Sequence, residues 1–172
     1  MADRVKHHGG KRAFTLLELI LIMIILCTVL AMAAPSLRGF FSSRQLNDAA
    51  EQILIMTRYA RIQAAFQGRY YRVNFDMNKR LCWISVLSEN QYETLRESMG
   101  NDLPLPADIL VTFENVPDEG GVYYFEFNPS GYARAGRMRL EDNQHNVLDV
   151  VCYSPSENFE IIEVVDGREQ FE

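Results

Sequence analysis

The sequence predicts an α+β protein: one long N-terminal helix, bent part-way and with its first half in a membrane, packed against a β-rich head. Three observations carry that expectation. Residues 14–34 form an apolar run of 21 residues with a single charge, Glu18. Residues 46–64 then repeat apolar or small side chains at helical spacing. From Arg69 onward the apolar pattern alternates with period two, and the runs are separated by turn-forming residues.

The first thirteen residues carry Arg4, Lys6, Lys11 and Arg12 against Asp3, a net charge of +3. The whole chain is at −6, so the remaining 159 residues sit near −9. A basic head before an apolar run is an export or membrane signature, and the positive end stays cytoplasmic. The acidic remainder argues against nucleic acid as the main partner, because phosphate neutralisation needs an excess of Lys and Arg.

At about 1.5 Å per residue the apolar run covers about 31 Å, one hydrocarbon core. Three readings compete for it. A cleaved export signal would use Ala31-Met32-Ala33 followed by Ala34 as its small-residue site, but the run is long for such a signal and Glu18 interrupts it. A plain membrane anchor would tolerate Glu18 near the headgroups. The third reading comes from the order Lys11-Arg12-Ala13, Phe14-Thr15-Leu16-Leu17-Glu18, then apolar helix. That order resembles the type III signal of type IV pilins and type II secretion pseudopilins.

The resemblance implies a cut by prepilin peptidase between Ala13 and Phe14, on the cytoplasmic side. Phe14 would become an N-methylated mature N-terminus, and Glu18 its fifth residue. One position departs from the family pattern, since glycine is usual where Ala13 stands. Pro35 falls where the family places a helix-bending proline. An intramembrane carboxylate is expected to have a partner. In a filament, the Phe14 amine of one subunit can meet Glu18 of another, and burial of that pair would set the register between subunits.

Beyond Pro35, which lacks an N–H and disturbs a helix, Leu46, Ala50, Ile53, Thr57, Ala60 and Ala64 follow a 4-3-4-3-4 spacing on one face. Gly68 supplies a C-terminal stop. The expected organisation is therefore a leader over 1–13, a transmembrane helix over 14–34, an amphipathic continuation over 35–67 and a β-rich head over 68–172. Residues 69–76 and 80–87 predict a hairpin around Met77-Asn78-Lys79. Residues 88–101 predict a short helix or a loop. Further strands are predicted at 109–114, 122–128, 137–140, 147–153 and 159–165.

Three cysteines occur, without a CxxC pair or a Cys/His cluster to suggest zinc. Cys27 lies in the apolar run. Alternation points both Cys82 and Cys152 toward a core, which leaves two outcomes open: a disulfide, or two buried thiols.

Tyr59-Ala60-Arg61-Ile62-Gln63-Ala64-Ala65 and the turn Phe127-Asn128-Pro129-Ser130-Gly131 resemble the GspH/FimT-type minor pseudopilins. That resemblance implies a head of two antiparallel sheets packed on the helix and placed near a fibre tip. It also implies a single-pass inner-membrane protein with a periplasmic head. Its implied partners are major and minor pseudopilins, prepilin peptidase, an inner-membrane assembly platform and membrane lipid. The implied function is a subunit of a type II secretion pseudopilus that drives export of folded proteins. The alternative is a FimT/FimU-like minor pilin of a type IV pilus assisting DNA uptake, for which Arg134, Arg137 and Arg139 offer a basic patch. A third class, a membrane-anchored enzyme or receptor, has little to work with. His7 and His8 are in the leader, His145 stands alone in a polar turn, and no P-loop, GxSxG or HExxH occurs. No catalytic residue, metal or cofactor is expected.

Overall fold

A computed structural model describes residues 15–95, 102–165 and 168–170, with backbone alone at 32–40, 165 and 168–170. Helix α1 (Leu16–Gln67) is followed by strands β1 (Tyr71–Asp76), β2 (Leu81–Ser88), β3 (Gln91–Thr94), β4 (Leu103–Pro104) and β5 (Leu110–Glu114). Then come β6 (Asp118–Glu119), β7 (Val122–Phe127), β8 (Gly136–Glu141), β9 (Val147–Cys152), β10 (Glu160–Val165) and β11 (Arg168–Gln170). The chain divides into two units, Met1–Arg38 and Gly39–Glu172.

Within the second unit the strands form two antiparallel sheets. One runs β3-β2-β1-β7-β6 with β4 added to β2, and the other runs β11-β10-β9-β8-β5. Leu46, Ala50, Ile53, Thr57, Ala60 and Ala64 are all buried, as their spacing predicts. They share one core with Val73, Phe75 and Ile84 of the first sheet and Met138, Leu140 and Val150 of the second. Ala65 has only a methyl, so backbone comes close to the helix there. The Asn128–Gly131 turn does so directly. Gly131 has φ +77°, and a Cβ at that position would sit 3.4 Å from both the Ala65 Cβ and the Arg61 carbonyl oxygen. Asn128 Oδ1 holds the turn by accepting from the N–H groups of Ser130 and Tyr132 at 2.9 and 3.0 Å. The two sequence motifs, 59–65 and 127–131, thus meet in one packing contact.

The helix ends as a glycine stop requires. Gly68 adopts φ +63°, and the Arg69 N–H reaches back to the Ala64 carbonyl at 3.2 Å. Arg61 then donates from its guanidinium to the carbonyls of Ser156, at 2.7 Å, and Glu157, tying the β9–β10 loop to α1.

One departure from the sequence expectation and one choice it left open have local causes. Gln91–Thr94, expected as helix or loop, is an edge strand whose Tyr92 is held across the sheet; residues 96–101 lie outside the described residues. The disulfide option for Cys82 and Cys152 is not taken, and both are buried free thiols. Alternation does point each inward, but they belong to different sheets and find other neighbours. Cys82 Sγ lies 3.6 Å from Met56 Sδ, while the Cys152 thiol donates to the Ser154 carbonyl at 3.1 Å. Burial raises both thiol pKa values, so neither is a ready nucleophile.

The β8–β9 turn depends on a buried carboxylate. Asp142 accepts from the backbone N–H groups of Gln144 and Asn146 at 2.8 and 3.0 Å and from the Asn146 amide at 2.9 Å. Asn146 in turn donates to Ser43 Oγ of α1 at 3.0 Å. Burial opposes the Asp142 charge, but the hydrogen bonds outweigh it and hold its pKa below the usual value. A folded pKa below the unfolded value of about 3.9 stabilises the protein above that pH, and the contribution is lost as pH falls through the folded value. Thermal melts from pH 7 down to the acid limit should therefore show a drop below about pH 4 that is shallower in Asp142→Asn. Equal acid slopes in the two proteins would contradict this assignment.

Candidate assembly surface

The sequence Thr15-Leu16-Leu17-Glu18 places a hydroxyl at the position before α1 and a glutamate three residues later. The Glu18 N–H donates to Thr15 Oγ1 at 3.2 Å, and the Leu19 N–H to the Thr15 carbonyl at 3.2 Å. This is one half of a capping box, in which the side chain before the helix satisfies an otherwise orphaned N–H. Glu18 therefore sits where the positive end of the helix dipole favours an acid. The S/T-x-x-E pattern at Thr15–Glu18 is the sequence signal for this cap.

Every residue from Thr15 to Ala31 is exposed in the single chain, Glu18 included. Among the described residues no helix is long and apolar enough to cross a membrane. The stretch with described side chains closes at Ala31, whereas the expected span continues to Ala34. Ala13 and Phe14, the expected cleavage pair, lie outside the described residues. Pro35 is within α1 by its backbone, but its side chain is not described, so the expected bend is not tested.

In the second unit the face of α1 away from the core carries its own apolar stripe. Ile55, Ile62 and Phe66 are 48%, 65% and 85% exposed and follow i, i+7, i+11 spacing. Exposed singly these side chains would need no explanation, but an aligned row on a helix is the form taken by a helix-packing seam.

The basic patch that the alternative reading drew on, at Arg134, Arg137 and Arg139, does not form a free cationic surface. Strand pairing places Arg139 directly opposite Asp149, and Arg137 two residues along on the same face. Arg139 donates to both Asp149 oxygens at 2.8 Å, and Arg137 reaches Asp149 at 3.1 Å and Glu114 at 3.8 Å. The hydrogen bonds to Asp149 raise the Arg139 pKa. Asp149 is 1% exposed, so these arginines neutralise a buried charge and are not a free cationic surface. Arg134 stands apart, exposed beside Tyr132 and Tyr70. His145 is exposed too, 2.7 Å from Glu141.

One constellation has no counterpart in the sequence reading. On the outward face of the first sheet, the Arg72 guanidinium lies between the rings of Tyr92 and Tyr124, 3.8 and 3.9 Å from their centroids. Its Nε donates to Glu126 at 2.7 Å and a terminal nitrogen to Glu119 at 2.9 Å. The Tyr92 hydroxyl donates to the same Glu126 oxygen at 2.7 Å. Burial works against the Arg72 charge, yet the two carboxylates leave its pKa raised, and Arg72 lowers that of Glu119. The node pins the edge strands β3 and β6 across the sheet. Its partners are 20 to 54 residues from Arg72 in sequence, so no local motif announces it.

No protein-family model matches the chain, and no curated protein matches it. Among solved structures, the minor pseudopilin EpsH from the type 2 secretion system of Vibrio cholerae matches with TM-score 0.56 and 15% identity. That match covers 72% of this chain and 99% of EpsH. The type IV minor pilin FimU of Pseudomonas aeruginosa gives TM-score 0.48 and 22% identity, over 77% of this chain and 92% of that one. The fold is thus pilin-like: a helix leading into a head of two antiparallel sheets.

Proposed function

We propose that the chain is a minor pseudopilin of the GspH type, a structural subunit of a type II secretion pseudopilus rather than an enzyme. The observation that carries this reading is the run Lys-Arg-Ala-Phe-Thr-Leu-Leu-Glu, whose last three residues open one 52-residue helix that continues into the pilin-like head. Prepilin peptidase cuts between Ala13 and Phe14 and methylates the new amine. Residues 14–34 cross the inner membrane once, with the head in the periplasm. The exposed run from Thr15 to Ala31 meets lipid before assembly and other pseudopilin helices after it. Glu18 neutralises the Phe14 amine of a neighbouring subunit, and an inner-membrane platform adds the subunit to a short fibre that pushes folded cargo outward. No cofactor takes part.

The helix stripe supports the same reading and gives its test. Ile62 and Phe66 touch little within the chain, so replacing both with serine should change folding stability by less than about 0.5 kcal/mol. Packing against another subunit would be lost. A photo-cross-linker at position 62 should trap a helix of another fibre subunit in membranes, and the Ile62→Ser/Phe66→Ser variant should drop out of the fibre several-fold. Cross-links only to lipid, with normal incorporation of the variant, would contradict the assignment.

A further inference from the structure

The outward face of the first sheet forms a groove of about 520 Å³, within the range usual for ligand sites. Its floor is built from Asn74 and Ser85, which are only 7% and 3% exposed. Asn74 donates from Nδ2 to the Trp83 carbonyl at 3.3 Å and to Ser85 Oγ at 2.8 Å. Because a carbonyl can only accept, this contact fixes the orientation of the amide. Asn74 Oδ1 then accepts no bond among the described residues, and the Ser85 hydroxyl, which accepts from Asn74, donates none. No buried polar atom of the described residues is left sealed without a partner, so the Asn74 oxygen opens into the groove. The floor therefore presents one unused acceptor beside one unused donor.

The walls narrow the ligand further. Trp83, Tyr92 and Tyr124 supply ring surfaces, and Gln91 and Thr94 add exposed polar side chains at the rim. Arg72 is the sole cation among the lining residues, and two carboxylates already hold it. A phosphate-bearing ligand would meet a net negative site. A purely apolar ligand would strand the floor's donor and acceptor without partners. An extended peptide gains no backbone pairing here, because the groove lies on the face of a sheet whose strands are already hydrogen-bonded to each other. A hydroxyl both donates and accepts, so it fits the Asn74–Ser85 pair, and a sugar ring offers an apolar C–H face to an aromatic ring.

We propose that this groove binds a neutral oligosaccharide, with hydroxyl groups on Asn74 and Ser85 and a sugar ring against Trp83. Glucose-type and N-acetylhexosamine-type rings share this chemistry. The first would come from glycan carried with cargo, the second from the glycan strands of the cell wall.

Trp83 is the chain's single tryptophan, so its fluorescence reports the groove directly. Detergent-solubilised full-length protein would be titrated with three probes: β-1,4-glucose oligomers, N-acetylglucosamine oligomers and peptidoglycan glycan strands stripped of peptide. A saturable change with at least one probe is expected, weakened tenfold or more by Ser85→Ala and by Asn74→Leu. The Ile62→Ser/Phe66→Ser variant should bind as the unaltered chain does, which separates this site from fibre assembly. Preference for the glucose oligomers points to the cargo source, and preference for the other two to the cell wall. No saturable change with any probe overturns the proposal, as does binding that Ser85→Ala leaves unchanged in a protein that melts normally. A Trp83 response to another fibre subunit alone would make the groove a protein contact and overturn it equally. Should Asn74→Leu fail to fold, Ser85→Ala decides.

Discussion

Glu18→Gln should leave membrane insertion intact and reduce fibre incorporation by about two orders of magnitude. Glutamine is chosen over alanine because Glu18 has two roles that must be separated. In the single chain it is the third residue of a capped helix, its N–H bonded to Thr15 Oγ1. Glutamine serves in a capping box as glutamate does, so the helix start survives the change. What disappears is the negative charge. In the assembled fibre that charge would face a neighbour's Phe14 amine in surroundings poor in water, where removing one partner of an ion pair costs about 3–5 kcal/mol. At about 1.4 kcal/mol per factor of ten, that is about two to three and a half decades of association, and the lower end is expected here. The measurement is the ratio of Glu18→Gln to unaltered subunit in sheared fibres, against the ratio in membranes. Equal ratios would leave Glu18 with its capping role only.

The second large effect concerns the arginines of β8. Arg137→Ala with Arg139→Ala should lower the melting temperature of the detergent-solubilised chain by about 5–10 °C. The physical reason is Asp149, buried opposite Arg139 and left with a charge and no counterion when both guanidinium groups are gone. Breaking a fully buried pair costs about 3–5 kcal/mol; Arg139 keeps contact with solvent, so we expect about 2–3 kcal/mol here. For a chain of this size each kcal/mol moves the midpoint by about 2–4 °C. Adding Asp149→Asn to the double variant removes the stranded charge and should recover most of the loss. A normal melting temperature accompanied by lost, salt-sensitive DNA binding would instead restore the nucleic-acid reading of these residues.

These two cases also show where sequence reading succeeds and where it stops. The 46–64 stripe was legible because helical packing imposes its period locally, and each of the six named residues is buried. The main strands were legible for the same reason, from alternation and turn residues. Arg137 and Arg139 were misread because their partner, twelve and ten residues away, is set by the register of the β8–β9 hairpin, and spelling alone does not give register. The cysteines were correctly pointed inward, yet pairing needs one more fact, which neighbour each thiol meets: Met56 for Cys82 and the Ser154 carbonyl for Cys152. Arg72 was invisible for the reason carried furthest: it gathers Tyr92, Glu119, Tyr124 and Glu126 from three other strands. A polar alternation, Arg72-x-Asn74-x-Asp76, was the one local hint that this strand has a polar outer face. At the N-terminus the direction reverses. There the signal is local in sequence, and the structure adds the Thr15 cap on the Glu18 N–H, at the helix end whose dipole favours an acid.

The central claim is that residues 11–18 are a cleavage tag and an assembly device joined in one segment. Intact mass and N-terminal fragment mass of the chain extracted from membranes test it most directly. A protein lacking residues 1–13 and beginning at N-methylated Phe14 is expected. A chain that keeps Met1, or one that begins at Ala34, would contradict it.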